Sequence, residues 1–289
     1  MSFSNKKPLR GSLRLDLMGD QTISILGCGW LGFPLAKHLV QLGFLVKGST
    51  TTKDKFSLLK GSQITPFYIE AIPQLSGDDI GSFFQSKILV LTIPFRRTLE
   101  DPDYYKQQID SVIAHVEKSP VEFVIFSSST SIYPASMKMA SEDVEITPDN
   151  PRSETLMNVE RALRSNQNFE TTILRFSGLY GGKRRIGQIL AGREGLPDGE
   201  SPVNLIHLED CIEIVTQIIK KDIRNETMNV CSDGHPTRQE LYIKAAHHHD
   251  LKPPQFSSQP TKRFKIVSNA KLKSKLKYTF THPDPLNFK

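Results

Sequence analysis

Gly27-Cys28-Gly29-Trp30-Leu31-Gly32 decides how this chain is read. The apolar run Ile23-Ser24-Ile25-Leu26 precedes it, and Phe33-Pro34-Leu35-Ala36-Lys37-His38-Leu39-Val40 follows. That order is strand, glycine turn, helix. At such a junction Gly27 allows a tight turn, Gly29 lets backbone approach a pyrophosphate, and Gly32 lets helix pack on strand. The start of the helix offers unpaired N–H groups and a positive dipole end to phosphate. Trp30 and Leu31, between two of the glycines, shape the turn.

Outward from this point, short apolar or β-branched runs recur at 23–26, 44–48, 66–69, 88–92, 123–127, 172–175 and 228–231. They scarcely alternate with polar residues, which is the pattern of strands covered on both faces. Helical stripes lie between them. Leu31, Leu35, Leu39 and Leu42 form one, closed by Gly43, with Pro34 in the tolerant first turn. Tyr105, Ile109, Val112, Ile113 and Val116 form another. Alternating strands and helices imply an α/β fold, a doubly wound parallel sheet of Rossmann type. Regularity weakens after Tyr180, where glycine and proline accumulate. The expected division is a leader over 1–20, a dinucleotide-binding domain over 21–180 with 201–234 contributing, and a smaller C-terminal substrate lobe from 181–200 and 235–289.

The bulk properties narrow the class. A chain of 289 residues with 38% hydrophobic residues can build a full core. The net charge of +6 is mild, and its lysines gather at Lys262, Lys265, Lys271, Lys273, Lys275 and Lys277. No recognition motif or stacking aromatics accompany them, so a solvated basic surface is expected rather than a nucleic-acid partner. The three cysteines, Cys28, Cys211 and Cys231, lie far apart, which suits a reducing compartment and makes no metal-binding spacing. His247-His248-His249 point in different directions on a helix and cannot share one ion, so no metal ligands are assigned. No apolar run approaches the ~20 residues of a membrane span, and residues 1–17 lack the apolar core of a signal peptide. A cytoplasmic protein, with Met18 as its functional start, is expected.

The end of the second strand carries a further signal. In dinucleotide folds this position reads the adenosine ribose, and an acid there binds the 2′-hydroxyl of NAD. Here it reads Gly48-Ser49-Thr50-Thr51-Thr52-Lys53, with no carboxylate before Asp54. Ser49, Thr50, Thr51 and Lys53, helped by Lys55, can donate to a 2′-phosphate with nothing nearby to repel it. NADP is therefore expected, with NAD as the alternative.

Phe123-Val124-Ile125-Phe126 runs into Ser127-Ser128-Ser129-Thr130-Ser131-Ile132-Tyr133-Pro134, which places hydroxyls at the carboxyl end of a strand, where such sheets bind ligands. With the glycine motif, this resembles the extended short-chain dehydrogenase/reductase superfamily, the sugar-nucleotide epimerase/dehydratase group. Leu174-Arg175-Phe176-Ser177-Gly178-Leu179-Tyr180-Gly181, Asn204-Leu205-Ile206-His207-Leu208-Glu209-Asp210 and Asn229-Val230-Cys231-Ser232-Asp233 are similar to further motifs of that group, in the same order. The resemblance covers roughly residues 21–280 of the chain. It puts Ser129, with Thr130 beside it, on the catalytic hydroxyl. It puts Thr92, Ile93, Pro94, Ser127 and Ser128 along the cofactor.

Typical members add a Tyr-x-x-x-Lys pair, in which the lysine lowers the phenol's pKa from ~10 so that it can act as acid and base. Here Arg152 takes the tyrosine position and Leu156 the lysine position, and no Tyr-x-x-x-Lys occurs anywhere. Guanidinium stays protonated and leucine has no polar group. The chain thus resembles the atypical branch that lacks the pair. Tyr133 could substitute, or pack under the loop that follows. Tyr180 could serve from its strand end. His207 could relay protons or simply hydrogen-bond at a helix entry, which Asp210 could cap. Arg175 is expected to meet a carboxylate or a phosphate. The resemblance implies an NADP-dependent oxidoreductase or epimerase acting on a small carbonyl, hydroxyl or nucleotide-sugar compound, with a homodimer through helices near 104–118 and 153–164. The alternative is a non-catalytic NADP(H)-binding redox sensor.

Overall fold

The computed structural model describes residues 21–95, 102–258 and 264–287, without the side chain of Pro102. The expected leader over 1–20, Met18 and Lys262 lie outside the described residues.

Each expected strand is present. β1 (Thr22–Leu26), β2 (Leu45–Thr50), β3 (Thr65–Ile72), β4 (Gln74–Gly77), β5 (Ile88–Leu91), β6 (Phe123–Ser129), β8 (Glu170–Phe176) and β11 (Thr227–Val230) form one eight-stranded sheet. Its order is β11-β8-β6-β5-β1-β2-β3-β4. All neighbours are parallel except β3 and β4. That antiparallel edge strand escaped the sequence reading because Gln74-Leu75-Ser76-Gly77 holds one apolar side chain. The small pairs β9 (Gly178–Tyr180) with β10 (Leu205–His207), and β7 (Met139–Ala140) with β12 (Ile266–Val267), lie apart from the main sheet.

Both faces of the sheet are buried, and the two-residue period of a strand shows it. Ile23 and Ile25 enter one core and Leu26 the other; Ile88 and Val90 face the first, Leu89 and Leu91 the second. The first core is covered by α1 (Gly32–Gln41), α7 (Leu208–Lys221) and α9 (Ala270–Leu276). The second is covered by α4 (Pro102–Val116) and α5 (Pro151–Arg164). In α1, Leu35 and Leu39 are fully buried, each worth ~1.5–3 kcal/mol. Leu42, expected on that stripe, is instead 38% exposed, because the helix ends at Gln41 and Gly43 turns the chain at φ +91°. Short helices α2 (Phe56–Gly61) and α3 (Ile80–Phe83) flank β3, while α6 (Ile186–Leu190) packs on α8 (Arg238–His248).

The chain leaves β1 toward β2 and β3, then returns to β5 on the other side of β1. This reversal opens a crevice at the carboxyl ends of β1 and β5, the place where such sheets hold ligands.

Among the described residues, no helix is long and apolar enough to cross a membrane. The C-terminal lysines are largely paired: Lys271 and Lys275 meet Glu226, Lys273 meets Asp233, and Lys265 Nζ donates to the carbonyls of Thr130 and Tyr133.

Candidate functional site

The glycine turn sits at the mouth of that crevice. Gly29 N–H donates to Gly27 O at 2.7 Å, and Phe33 N–H to Gly29 O at 3.1 Å, carrying the turn into α1. Gly27 holds φ +110°, which L side chains rarely adopt. A Cβ on Gly32 would stand 2.2 Å from the Gly27 carbonyl oxygen, so only glycine lets the helix approach. A Cβ on Gly29 would meet nothing within 4 Å, so that edge of the turn is open. Two expected cofactor residues also splice the turn to its neighbours. Ser49 Oγ accepts the Gly27 N–H at 2.8 Å, and Thr92 Oγ1 lies 2.8 Å from the Gly27 oxygen, to which it donates. Cys28 packs beneath, and burial pushes its thiol up to about 12 against the pull of Lys55.

A cleft of about 670 Å³ runs along these strand ends. Gly27, Gly29, Trp30, Leu31, Gly32, Ser49, Thr50, Thr51, Thr92, Ile93, Pro94, Ser127, Ser128 and Ser129 all line it. Lys53, Thr130, Tyr133, Tyr180 and His207 do not. Lys53 lies over Tyr68 and pairs with Asp78 at 2.9 Å. The expectation that no carboxylate stands near this end is therefore corrected. The β3–β4 hairpin brings Asp78 from 25 residues beyond Lys53, and Glu70 joins the cleft wall. Lys55, two residues on, does line the cleft.

Over the turn, Trp30 Nε1 donates to Gly181 O at 3.2 Å, and the Arg184 guanidinium stacks on the indole at 4.4 Å. Arg184 lines the same cleft. Burial holds its guanidinium below the usual value.

At the β6 end the hydroxyls divide. Ser129 faces the cleft, its oxygen accepting the Ser131 N–H at 3.1 Å. Ser128 donates to Glu160 Oε1 at 2.5 Å. Thr130 turns inward toward Phe176 O. Glu160 also receives Arg175, whose Nη2 lies 2.6 Å from Oε2, and Arg175 Nη1 donates to Tyr133 Oη at 2.8 Å. The Tyr133 hydroxyl donates in turn to Asn229 Oδ1 at 2.9 Å. Tyr133 is 1% exposed. Burial raises its pKa, opposed by Arg175 and Asn229. Burial also opposes the charge on Arg175, but Glu160 and Tyr133 more than offset it and keep the guanidinium charged. Arg175 thus meets the carboxylate that sequence expected.

Sequence reading missed Glu160 itself. The signal was present: Leu156, Val159, Glu160 and Leu163 share one buried face of α5, so a carboxylate interrupts an apolar stripe. Arg152 and Leu156, at the positions of the absent reactive pair, both line the cleft. Arg152, the second residue of α5, donates to Phe95 O at 2.7 Å and lies 3.9 Å over the Phe95 ring.

Tyr180 and His207 meet each other behind the Trp30–Gly181 wall, with ring centroids 5.0 Å apart. Burial, then Asp210, raises the Tyr180 pKa. Burial, then His282, lowers that of His207. The expected cap is corrected here: His207 caps α7 by accepting the Glu209 N–H at Nδ1. Asp210 lies inside the helix and instead accepts from Tyr278 Oη, Thr281 N and His282 N.

No protein-family model matches the chain. Over 267 residues it is 32% identical to Protein YeeZ of Escherichia coli (strain K12), spanning 91% of this chain and 97% of that protein. Its fold is similar to that of UDP-glucose 4-epimerase from Thermotoga maritima, with TM-score 0.74, 18% identity and coverage of 92% and 96%. It is also similar to UDP-glucuronic acid 4-epimerase from Bacillus cereus, solved with UDP-glucuronic acid and NAD, with TM-score 0.72, 20% identity and the same coverage, 92% and 96%. The sheet and helices are those of the epimerase/dehydratase-like fold, as the sequence resemblance implied.

Proposed function

We propose that this chain, which belongs to the family of Escherichia coli Protein YeeZ, is an atypical NADP-dependent oxidoreductase or epimerase acting on a small carbonyl, hydroxyl or nucleotide-sugar compound. The observation that carries the reading is the glycine turn at the switch point: an open Gly29 edge at the start of α1, above a cleft large enough for a dinucleotide. A bound nicotinamide ring would supply hydride exchange. The rest falls to the chain. Backbone N–H groups of 30–32 would receive the pyrophosphate. Thr50, Thr51 and Lys55 would hold the 2′-phosphate, and Lys53 would join them by exchanging Asp78 for it. Ser129, whose oxygen accepts the Ser131 N–H and which lines the cleft, would donate its proton to a substrate oxygen. Residues 181–200 and 235–289 supply the substrate contacts. The nucleotide-sugar class is favoured by what the Bacillus cereus epimerase, of the same fold, was solved with.

Titration of the purified chain with NADPH and NADH tests the cofactor. Tighter binding of NADPH is expected, and Lys55→Glu should erase the preference. Equal affinities for the two would remove the NADP assignment. Turnover across a panel of carbonyl compounds and nucleotide sugars tests the activity.

One observation favours a second reading, the redox sensor. Arg152 is engaged with Phe95, and Leu156 forms apolar wall, so neither of the usual reactive groups is replaced by an acid or base. Any turnover lost in Ser129→Ala eliminates the sensor. Tight NADPH binding without turnover on any compound of the panel supports it.

A further inference from the structure

Behind the Trp30–Gly181 wall, the end of β10 and the first turn of α7 meet the C-terminal segment at three side chains. His207, Glu209 and His282 each offer a donor atom, and these atoms all lie within 4.8 Å of one another. The two imidazoles are 3.7 Å apart between centroids, and His282 Nε2 is 2.8 Å from Glu209 Oε2. We propose that His207, Glu209 and His282 bind one divalent transition-metal ion of the zinc class.

The donor set selects the ion. Two imidazole nitrogens and one carboxylate oxygen suit zinc-like ions, while magnesium and calcium prefer shells of oxygen. Three protein ligands leave a fourth position for water. The surroundings already orient the donors, as outer partners do in metal sites. Asp210 accepts the backbone N–H groups of Thr281 at 2.8 Å and His282 at 3.0 Å, and the Tyr278 hydroxyl at 2.8 Å, which fixes the strand of chain that presents His282. Gly181 closes on the other edge of His207: a Cβ there would stand 2.3 Å from Nε2. That leaves Nδ1, whose lone pair takes the long 3.3 Å N–H of Glu209 and would exchange that contact for the ion. Glu209 and Asp210 supply negative charge that offsets the positive end of α7. The ion would tie the end of β10 and the start of α7 to residues 278–282, directly behind the loop that roofs the glycine turn. It is independent of the cofactor reading.

The test uses the full chain, stripped with a chelator and titrated with Co²⁺ followed by visible absorption, then with Zn²⁺ by calorimetry. One equivalent is expected, with a rise in melting temperature. Loss of an outer partner alone costs metal sites ~10–100-fold, so His282→Ala and Glu209→Gln should each weaken Zn²⁺ by about 100-fold or more. His247→Ala, in the surface histidine run, should leave binding unchanged. The Glu209 side chain is 65% exposed, so Glu209→Gln keeps the test valid should His282→Ala not fold. Absence of stoichiometric Co²⁺ absorption overturns the site. So does Zn²⁺ affinity that is unaltered in Glu209→Gln but lost in His247→Ala.

Discussion

At the β1 end of the cleft the wall is backbone: Gly27 and Gly32 let main chain approach main chain, and the hydroxyls of Ser49 and Thr92 tie it to the neighbouring strands. At the β6 end the wall hangs on side chains, from Ser128 through Glu160 and Arg175 to Tyr133 and Asn229. The first region is shaped by atoms that are missing, the second by charges that are buried. A backbone cradle fails when something is added. A buried ionic chain fails when something is removed, because the partner left behind has neither water nor counter-charge.

Substitutions can break this contrast at either end. The largest effect is expected from Glu160→Ala, which strands Arg175 and should cost ~3–5 kcal/mol in chemical denaturation. A loss below 1 kcal/mol would mean that water reaches Arg175 and that the β6 end is not built on the pair. Next comes Gly32→Ala, where overpacking should cost about 1–3 kcal/mol and abolish dinucleotide binding. Retained binding at wild-type affinity would show that the turn can relax. Arg184→Ala should cost ~0.5–1 kcal/mol through its lost contact with Trp30 and shift the emission of that residue, which is the chain's one tryptophan. Unchanged emission would place the guanidinium elsewhere in solution.

The smallest effect concerns pH. Burial lowers the pKa of both His207 and His235 in the folded chain, from 6.5. Below about 6.5 the unfolded chain therefore binds more protons, and stability falls with pH through the folded values; above it, these groups contribute no slope. In the presence of chelator, NMR titration should find both imidazoles below 6.5. A His207 midpoint at or above that value contradicts the sign.

The same contrast explains what was legible in the sequence. The turn, its strand and its helix lie within twenty residues, and their periodicities announce them. The Ser127-Ser128-Ser129 run was equally visible, yet the partner that takes the Ser128 hydroxyl is Glu160, 32 residues beyond it. Asp78 reached Lys53 through a hairpin whose edge strand, β4, holds one apolar side chain. His282 reaches Glu209 across 73 residues, a meeting that no local spacing encodes. Local backbone rules were readable, whereas side-chain partners across the sheet required the register.

The indole of Trp30 finds its acceptor at Gly181, 151 residues later. The strand, turn and helix around Trp30 are complete early in synthesis, but their roof does not exist until that later loop has emerged. At ribosomal speeds of ~5–20 residues per second the interval is roughly eight to thirty seconds. Until it closes, even after Ser49 and Thr92 have tied the turn, the indole N–H of Trp30 has no acceptor but water.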